Sequence, residues 1–205
     1  MPTSPTIIVL AAGPGRRFSG TEHKLQQPLG GSSVLGTTLR HAVDSRLPVL
    51  VVTTGRLAPL VAGQIAARDM LVLADADTRR GIGHSIAAGV SERASAHGWL
   101  VLPGDMPLVK PATLRAVAFA LAEHPVACAQ YRGRRGYPVG FAAELYSELV
   151  MLTGDDGARR LIARYPAHGE EVDDPGVLVD VDTVADLAAL RARQGLPAVL
   201  GAAPE

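Results

Sequence analysis

A doubly wound, Rossmann-like α/β domain with a mostly parallel sheet is the fold class this sequence predicts, and three observations carry it. Apolar runs such as Ile7 to Leu10 and Pro48 to Thr54 show too little alternation for a sheet with one wet face. Strands of that kind belong to parallel sheets covered by helices on both sides. Between them lie stretches with apolar residues at helical spacing, and 205 residues suffice for one domain with a substantial core.

In order, Ile7 to Leu10 reads as a buried strand. Ser33 to Val43 reads as a helix with Leu35, Leu39 and Val43 on one face, and Pro48 to Thr54 as the next strand. A helix over Leu57 to Arg68, a strand over Met70 to Ala74, a helix over Gly83 to Ala94 and a strand over Trp99 to Leu102 follow. Pro111 opens a helix reaching Glu123, a position where the missing N–H of proline is least needed. Val126 to Tyr131 is a further strand. The later chain is less regular: Glu144 to Leu152 and Gly157 to Arg164 read as short helices, Val177 to Val181 as a strand and Val184 to Arg193 as a closing helix. A single domain is expected over residues 1–205, with 194–205 as a loosely packed tail.

Composition narrows the function. Lys plus Arg equals Asp plus Glu at 20 each, so nothing in the global charge points to polymeric nucleic acid, and 4% aromatics leave little for base-stacking platforms. The single cysteine, Cys128, permits no internal disulfide and no thiolate cluster. The stretch before Thr6 is too short for a signal peptide and no apolar run reaches membrane-spanning length, so a cytoplasmic protein without membrane contact is expected.

Three stretches carry chemistry. After the first strand, Ala11-Ala-Gly-Pro-Gly15 leads into Arg16, Arg17 and Lys24. Small residues let backbone N–H groups approach a ligand, and three cations nearby point to a polyphosphate, although tight strand-to-helix turns need glycine in any case. No Gly-Lys-Ser/Thr closes the loop as in a Walker A motif, and Gly13-Pro-Gly15 leads into Arg-Arg rather than a third helix glycine, so a dinucleotide fingerprint fits poorly. In Trp99-Leu-Val-Leu-Pro-Gly-Asp-Met-Pro, Gly104 removes bulk beside Asp105 at a strand end, where a carboxylate either binds Mg²⁺ or closes a turn. In Asp180-Val-Asp-Thr-Val-Ala-Asp186, Thr183 and Asp186 have the spacing of a capping box, leaving Asp180 or Asp182 free as a second metal ligand.

Leu10-Ala-Ala-Gly-Pro-Gly-Arg-Arg17 followed by Lys24 resembles the signature of the MobA-like nucleotidyltransferases, and within them the molybdenum cofactor cytidylyltransferase branch. The longer Arg17–Lys24 gap is similar to that of the cytidylyltransferases of isoprenoid synthesis. Over about residues 6–193, the resemblance implies the fold of nucleotide-diphospho-sugar transferases. It implies nucleotide contacts from Leu10, Ala11, Ala12, Gly13, Gly15, Arg16, Gly104 and Ser85, the last from Gly81-Ile-Gly-His-Ser-Ile-Ala-Ala-Gly89; otherwise Ser85 is an ordinary helix serine. Lys24, Arg17 and Asp105 are the implied catalytic residues, with Mg²⁺ on Asp105 and Asp182.

Gly136-Tyr-Pro-Val-Gly-Phe141 and Gly154-Asp-Asp-Gly-Ala-Arg159 resemble acceptor-side segments, which makes Tyr137, Pro138 and Arg159 acceptor-binding candidates. Arg132, Arg134 and Arg135 either hold an anionic acceptor or are solvated, and His23 lies near phosphate or in solvent. The implied reaction moves a nucleoside monophosphate from CTP to a small phosphorylated acceptor, molybdopterin, with a molybdoenzyme or its chaperone as partner. Guanylyl transfer, transfer to a sugar or alcohol phosphate, and a non-catalytic cofactor-binding chaperone are the alternatives. Lys24, as a lysine on a polar loop, is expected to contribute little to stability.

Overall fold

In the computed structural model, which describes residues 4–20 and 22–196, the first strand, β1 (Thr6–Ala11), is buried along its whole length. Its side chains alternate between two cores: Ile7, Val9 and Ala11 enter one, Ile8 and Leu10 the other, as the two-residue period of a strand requires. A small hairpin, β2 (Pro28–Leu29) with β3 (Ser32–Ser33), precedes α1 (Val34–Asp44). β4 (Val49–Thr54), α2 (Ala58–Ala62), β5 (Met70–Leu73), the single turn α3 (Asp75–Thr78) and α4 (Ile82–Glu92) come next. β6 (Gly98–Pro103), α5 (Pro111–Ala120), β7 (Val126–Tyr131) and β8 (Arg134–Ala142) follow. α6 (Tyr146–Leu149), α7 (Arg159–Arg164), β9 (His168–Glu171) and α8 (Val184–Arg193) close the described chain.

The seven-stranded sheet has the order β5-β4-β1-β6-β8-β7-β9. Its pairings are parallel except at β8, which is antiparallel to both β6 and β7. The chain is thus a single α/β domain with a mostly parallel sheet, as its apolar strands predict. Helices α1, α5 and α8 cover one face through Leu35, Leu39, Leu114, Val117, Leu187 and Leu190. On the other face α4, α6 and α7 supply Ile86, Val90, Leu149 and Leu161. Because β8 runs backwards, its first residues lie beside the carboxyl end of β6, where Val101 pairs with Val139.

The structure corrects several expectations. The helix expected to Arg68 stops at Gly63, a poor helix former, and a separate 3₁₀ turn covers Ala67–Asp69. Val43 is exposed while Ala42 is buried; eight residues after Leu35 the helix face has turned by about 80°. The expected strand over Val177 to Val181 is absent. Pro175–Leu178 forms a 3₁₀ turn instead, capped by the Asp174 side chain, which accepts from the Gly176 N–H at 3.0 Å. Gly176 packs so closely on Leu108 that any side chain would strike the Leu108 carbonyl. Strands β8 and β9 were not foreseen. Of the expected tail, residues 197–205 lie outside the described residues. Among the described residues, no helix is long and apolar enough to cross a membrane.

Candidate active site

Three segments distant in sequence meet at the carboxyl ends of the parallel strands, where open α/β sheets receive ligands. Residues 12–17 follow β1, Gly104 and Asp105 follow β6, and Asp180 to Asp182 precede α8. The Gly104 N–H donates to the Leu10 carbonyl at 2.9 Å. A Cβ on Gly104 would come within 3.0 Å of that oxygen and of Leu35, so glycine permits this approach of the two strand ends. Thr38 on α1 donates to the Gly104 carbonyl at 2.9 Å. The Val181 N–H donates to the Asp105 carbonyl at 3.0 Å, which brings the third segment against the second. A capping box of Thr183 and Asp186 then fixes the start of α8 directly after Asp182, as the sequence predicts.

Lys24 sits at the centre of this junction. Its Nζ lies 2.5 Å from Asp105 Oδ2 and 2.6 Å from Asp182 Oδ1. Arg17 reaches the other oxygen of Asp182, also at 2.6 Å. Burial works against the Lys24 charge, but Asp105 and then Asp182 outweigh it and hold its pKa above the usual lysine value. Burial likewise works against the Asp182 carboxylate, and the Lys24 ammonium overrides it to keep that pKa below the ordinary range. Asp180 goes the other way: burial, then its hydrogen bond to Asp182 and the Asp182 charge, raise it.

The donor set fits a hard divalent cation. Asp105 Oδ1 is buried without a hydrogen-bond partner, while Asp105 and Asp182 already converge on one positive charge. Among the described residues no group of three or more His, Cys, Asp or Glu side chains could hold a metal unaided. Mg²⁺ in nucleotide sites characteristically takes one or two carboxylates and completes its shell with waters and phosphates, which is what this pair offers.

The junction forms the floor of a cleft of about 900 Å³, at the upper end of the range for small-molecule sites. Leu10, Ala12, Gly13, Gly15, Arg16 and Arg17 line it, with Lys24, Asp105, Asp182, Ser85 and Tyr137. Four expected site residues do not. Ala11 turns into the opposite core, as strand alternation dictates. Gly104 acts as a spacer between strand ends. Pro138 is buried within β8, and Arg159 stands exposed at the start of α7. Burial, then the Asp105 charge, raises the Tyr137 pKa, and Arg159 opposes the shift.

Of the three arginines before Tyr137, Arg134 and Arg135 line the cleft. Arg132 lies over the Tyr131 ring, 5.1 Å from its centroid. Sequence reasoning missed Thr38, which reads as an ordinary helix threonine and braces Gly104, and Thr78 and Leu178, which line the cleft together with Asp155 of the expected acceptor-side segment.

Two loops at the cleft are joined through glycines. The Gly83 N–H donates to the Gly154 carbonyl at 2.9 Å and the Gly154 N–H to the Arg80 carbonyl at 2.8 Å. Gly81 adopts φ +89°, and a Cβ there would collide with the Gly154 backbone. Gly81→Ala therefore combines a left-handed backbone with a backbone clash. It is expected to cost about 2–4 kcal/mol and to lower Tm by roughly 5–15 °C, read from a melting curve. An unchanged Tm would show that the two loops separate readily.

Residues 7–172 match the family described as the MobA-like NTP transferase domain. The chain is 33% identical over 189 residues to the purine catabolism protein PucB of Bacillus subtilis, covering 86% of this chain and 90% of PucB. It is similar to the crystal structure of Rv0371c from Mycobacterium tuberculosis, with a TM-score of 0.78 and 30% identity over 93% of this chain and 98% of that one. A manganese complex of Rv0371C matches with a TM-score of 0.75 and 29% identity over 92% and 98%. The bifunctional protein GlmU of Gloeobacter violaceus is 36% identical over 108 residues, spanning 52% of this chain and 24% of GlmU.

Proposed function

The chain belongs to the MobA-like NTP transferase family, and from that premise we propose that it transfers a cytidylyl group from CTP to the phosphomonoester of molybdopterin, releasing pyrophosphate. The observation that carries the nucleotidyl-transfer reading is the convergence of Lys24, Asp105 and Asp182 under the loop of residues 12–17. CTP as donor rests on the resemblance of the Gly81 to Gly89 segment to the cytidylyltransferase branch, and molybdopterin as acceptor on the family resemblance as a whole. The similarity to a purine catabolism protein agrees with a recipient enzyme of the xanthine dehydrogenase type, which acts on purines.

In this reading the backbone of residues 12–17 and the side chains of Arg16 and Arg17 hold the triphosphate, and Ser85 contacts the base or ribose. Mg²⁺, or Mn²⁺ as in the complex of a relative, would be held by Asp105 and Asp182 and supply Lewis-acid charge beside the α-phosphate. An ammonium has three N–H donors. Two of those on Lys24 go to the carboxylates, leaving one for a phosphoryl oxygen on which charge develops. Arg134 and Tyr137 orient the acceptor. The acceptor phosphate is itself the nucleophile, so alignment and charge stabilisation suffice and no protein nucleophile is needed.

The test supplies CTP, GTP, ATP and UTP in turn, with Mg²⁺ and molybdopterin, and measures pyrophosphate and the adduct mass. CTP is expected to give the fastest release and the molybdopterin cytosine dinucleotide. A preference for GTP would move the chain to the guanylyl branch. Nucleotide binding without pyrophosphate from any acceptor would favour a non-catalytic cofactor-binding role.

A further inference from the structure

His23 precedes Lys24 and takes no part in the chemistry described above. Its ring is nevertheless tied at both nitrogens. Nδ1 accepts the Leu25 N–H at 3.2 Å, capping the 3₁₀ turn Lys24–Gln26. That bond requires a bare Nδ1, so the ring proton resides on Nε2, which donates to the Gly13 carbonyl at 3.0 Å. The same ring packs against the loop: a Cβ on Gly15 would lie 3.1 Å from His23 Nε2. Leu25, one residue after Lys24, is 3% exposed and anchored in the core.

We propose that His23 is a positioning residue that couples the triphosphate loop to the turn carrying Lys24, through its two ring nitrogens. The proposal rests on the nucleotidyl-transfer reading of this site. A loop that offers N–H groups to an anion must turn its carbonyls aside, and the Gly13–Pro14 peptide has a carbonyl but no N–H. His23 Nε2–H takes that carbonyl as its acceptor, so the oxygen is engaged rather than left to repel phosphate. Nδ1, by fixing the Leu25 amide, sets the turn from which Lys24 reaches Asp105 and Asp182. Burial keeps the imidazole pKa below its ordinary value, with the Arg56 and Lys24 charges adding to it and the Gly13 carbonyl and Asp105 opposing. The neutral ring is the form that both bonds require.

The test compares His23→Ala, His23→Gln and His23→Asn with wild type by calorimetric titration of CTP and GTP in Mg²⁺, steady-state pyrophosphate release and melting curves. Glutamine places an amide donor near the Nε2 position and gives up the cap. Asparagine keeps a capping acceptor near Nδ1 and gives up the bond to Gly13. His23→Ala is expected to weaken triphosphate binding about tenfold, the scale of one lost hydrogen bond, and to lower kcat as well. Glutamine should restore the affinity and leave kcat low; asparagine should restore kcat and Tm and leave the affinity weak. Any uncrossed pattern overturns the proposal, including wild-type behaviour of His23→Ala or parallel recovery of Kd and kcat with Tm. Wild-type protein that binds none of CTP, GTP, ATP and UTP overturns the nucleotidyl-transfer reading itself, a result visible before any variant is made.

Discussion

Asp105→Asn is expected to lose at least about 10²–10³-fold of Mg²⁺-dependent pyrophosphate release while still folding. The substitution keeps the side-chain volume and removes one of the two charges facing Lys24. Lys24 keeps Asp182 as its partner, so the buried ammonium is not left alone. The cation site is affected more, because Asp105 also contributes the buried Oδ1 that has no protein partner. Asp182→Asn should act in the same direction. The double variant should lose less than the product of the single losses if both carboxylates act through one ion. Asp186→Asn is the control: it weakens the cap of α8, costs about 1 kcal/mol and leaves turnover nearly unchanged. Pyrophosphate release against Mg²⁺ concentration for all four variants decides the matter. A wild-type Mg²⁺ dependence in Asp105→Asn would make the Gly104–Asp105 turn architecture alone.

Lys24→Ala is expected to reduce kcat/KM by about 10²–10⁴-fold, the loss of a donor directed at developing phosphoryl charge. The structure also revises the expectation that this lysine is irrelevant to stability. Its side chain is 12% exposed and lies between two carboxylates, so its removal leaves like charges facing each other. Arg17 remains on Asp182, and proton uptake limits the repulsion. The cost is therefore about 2–3 kcal/mol, below the usual range for breaking a buried ion pair. That corresponds to a fall in Tm of roughly 5–10 °C without metal. Adding Mg²⁺ should raise the Tm of the variant more than that of the wild type, since the cation then meets two uncompensated carboxylates. Normal turnover in Lys24→Ala would remove this residue from the chemistry.

Where the sequence determines structure locally, it was readable. The apolar runs of β1, β4 and β6, the Gly104–Asp105 strand end and the Thr183–Asp186 capping box each depend on neighbours in the chain. What escaped depends on partners far away. Val177 to Val181 has the apolar content of a strand, but Pro175 and the Asp174 cap make a turn that packs under Leu108. Burial of Lys24 requires residues 81 and 158 positions away in the chain. His23 gives no local sign that its ring will find Gly13. β8 escaped for another reason: its early residues, Arg134 to Tyr137, are mostly exposed and carry no apolar run to announce a strand.

The seam between β6 and β8, where parallel pairing gives way to antiparallel, also divides labour. Everything proposed to hold the triphosphate and to contact the base lies on the β5-β4-β1-β6 side, on the loop that leaves β1 and in the first turn of α4. Tyr137 and Arg134 stand across the seam, on the strand that enters the cleft from the opposite direction. Diversification of such a scaffold can therefore proceed one half at a time: the start of β8 can be rewritten for a new acceptor while the strand ends that grip the nucleotide, and Asp182 before α8, stay as they are.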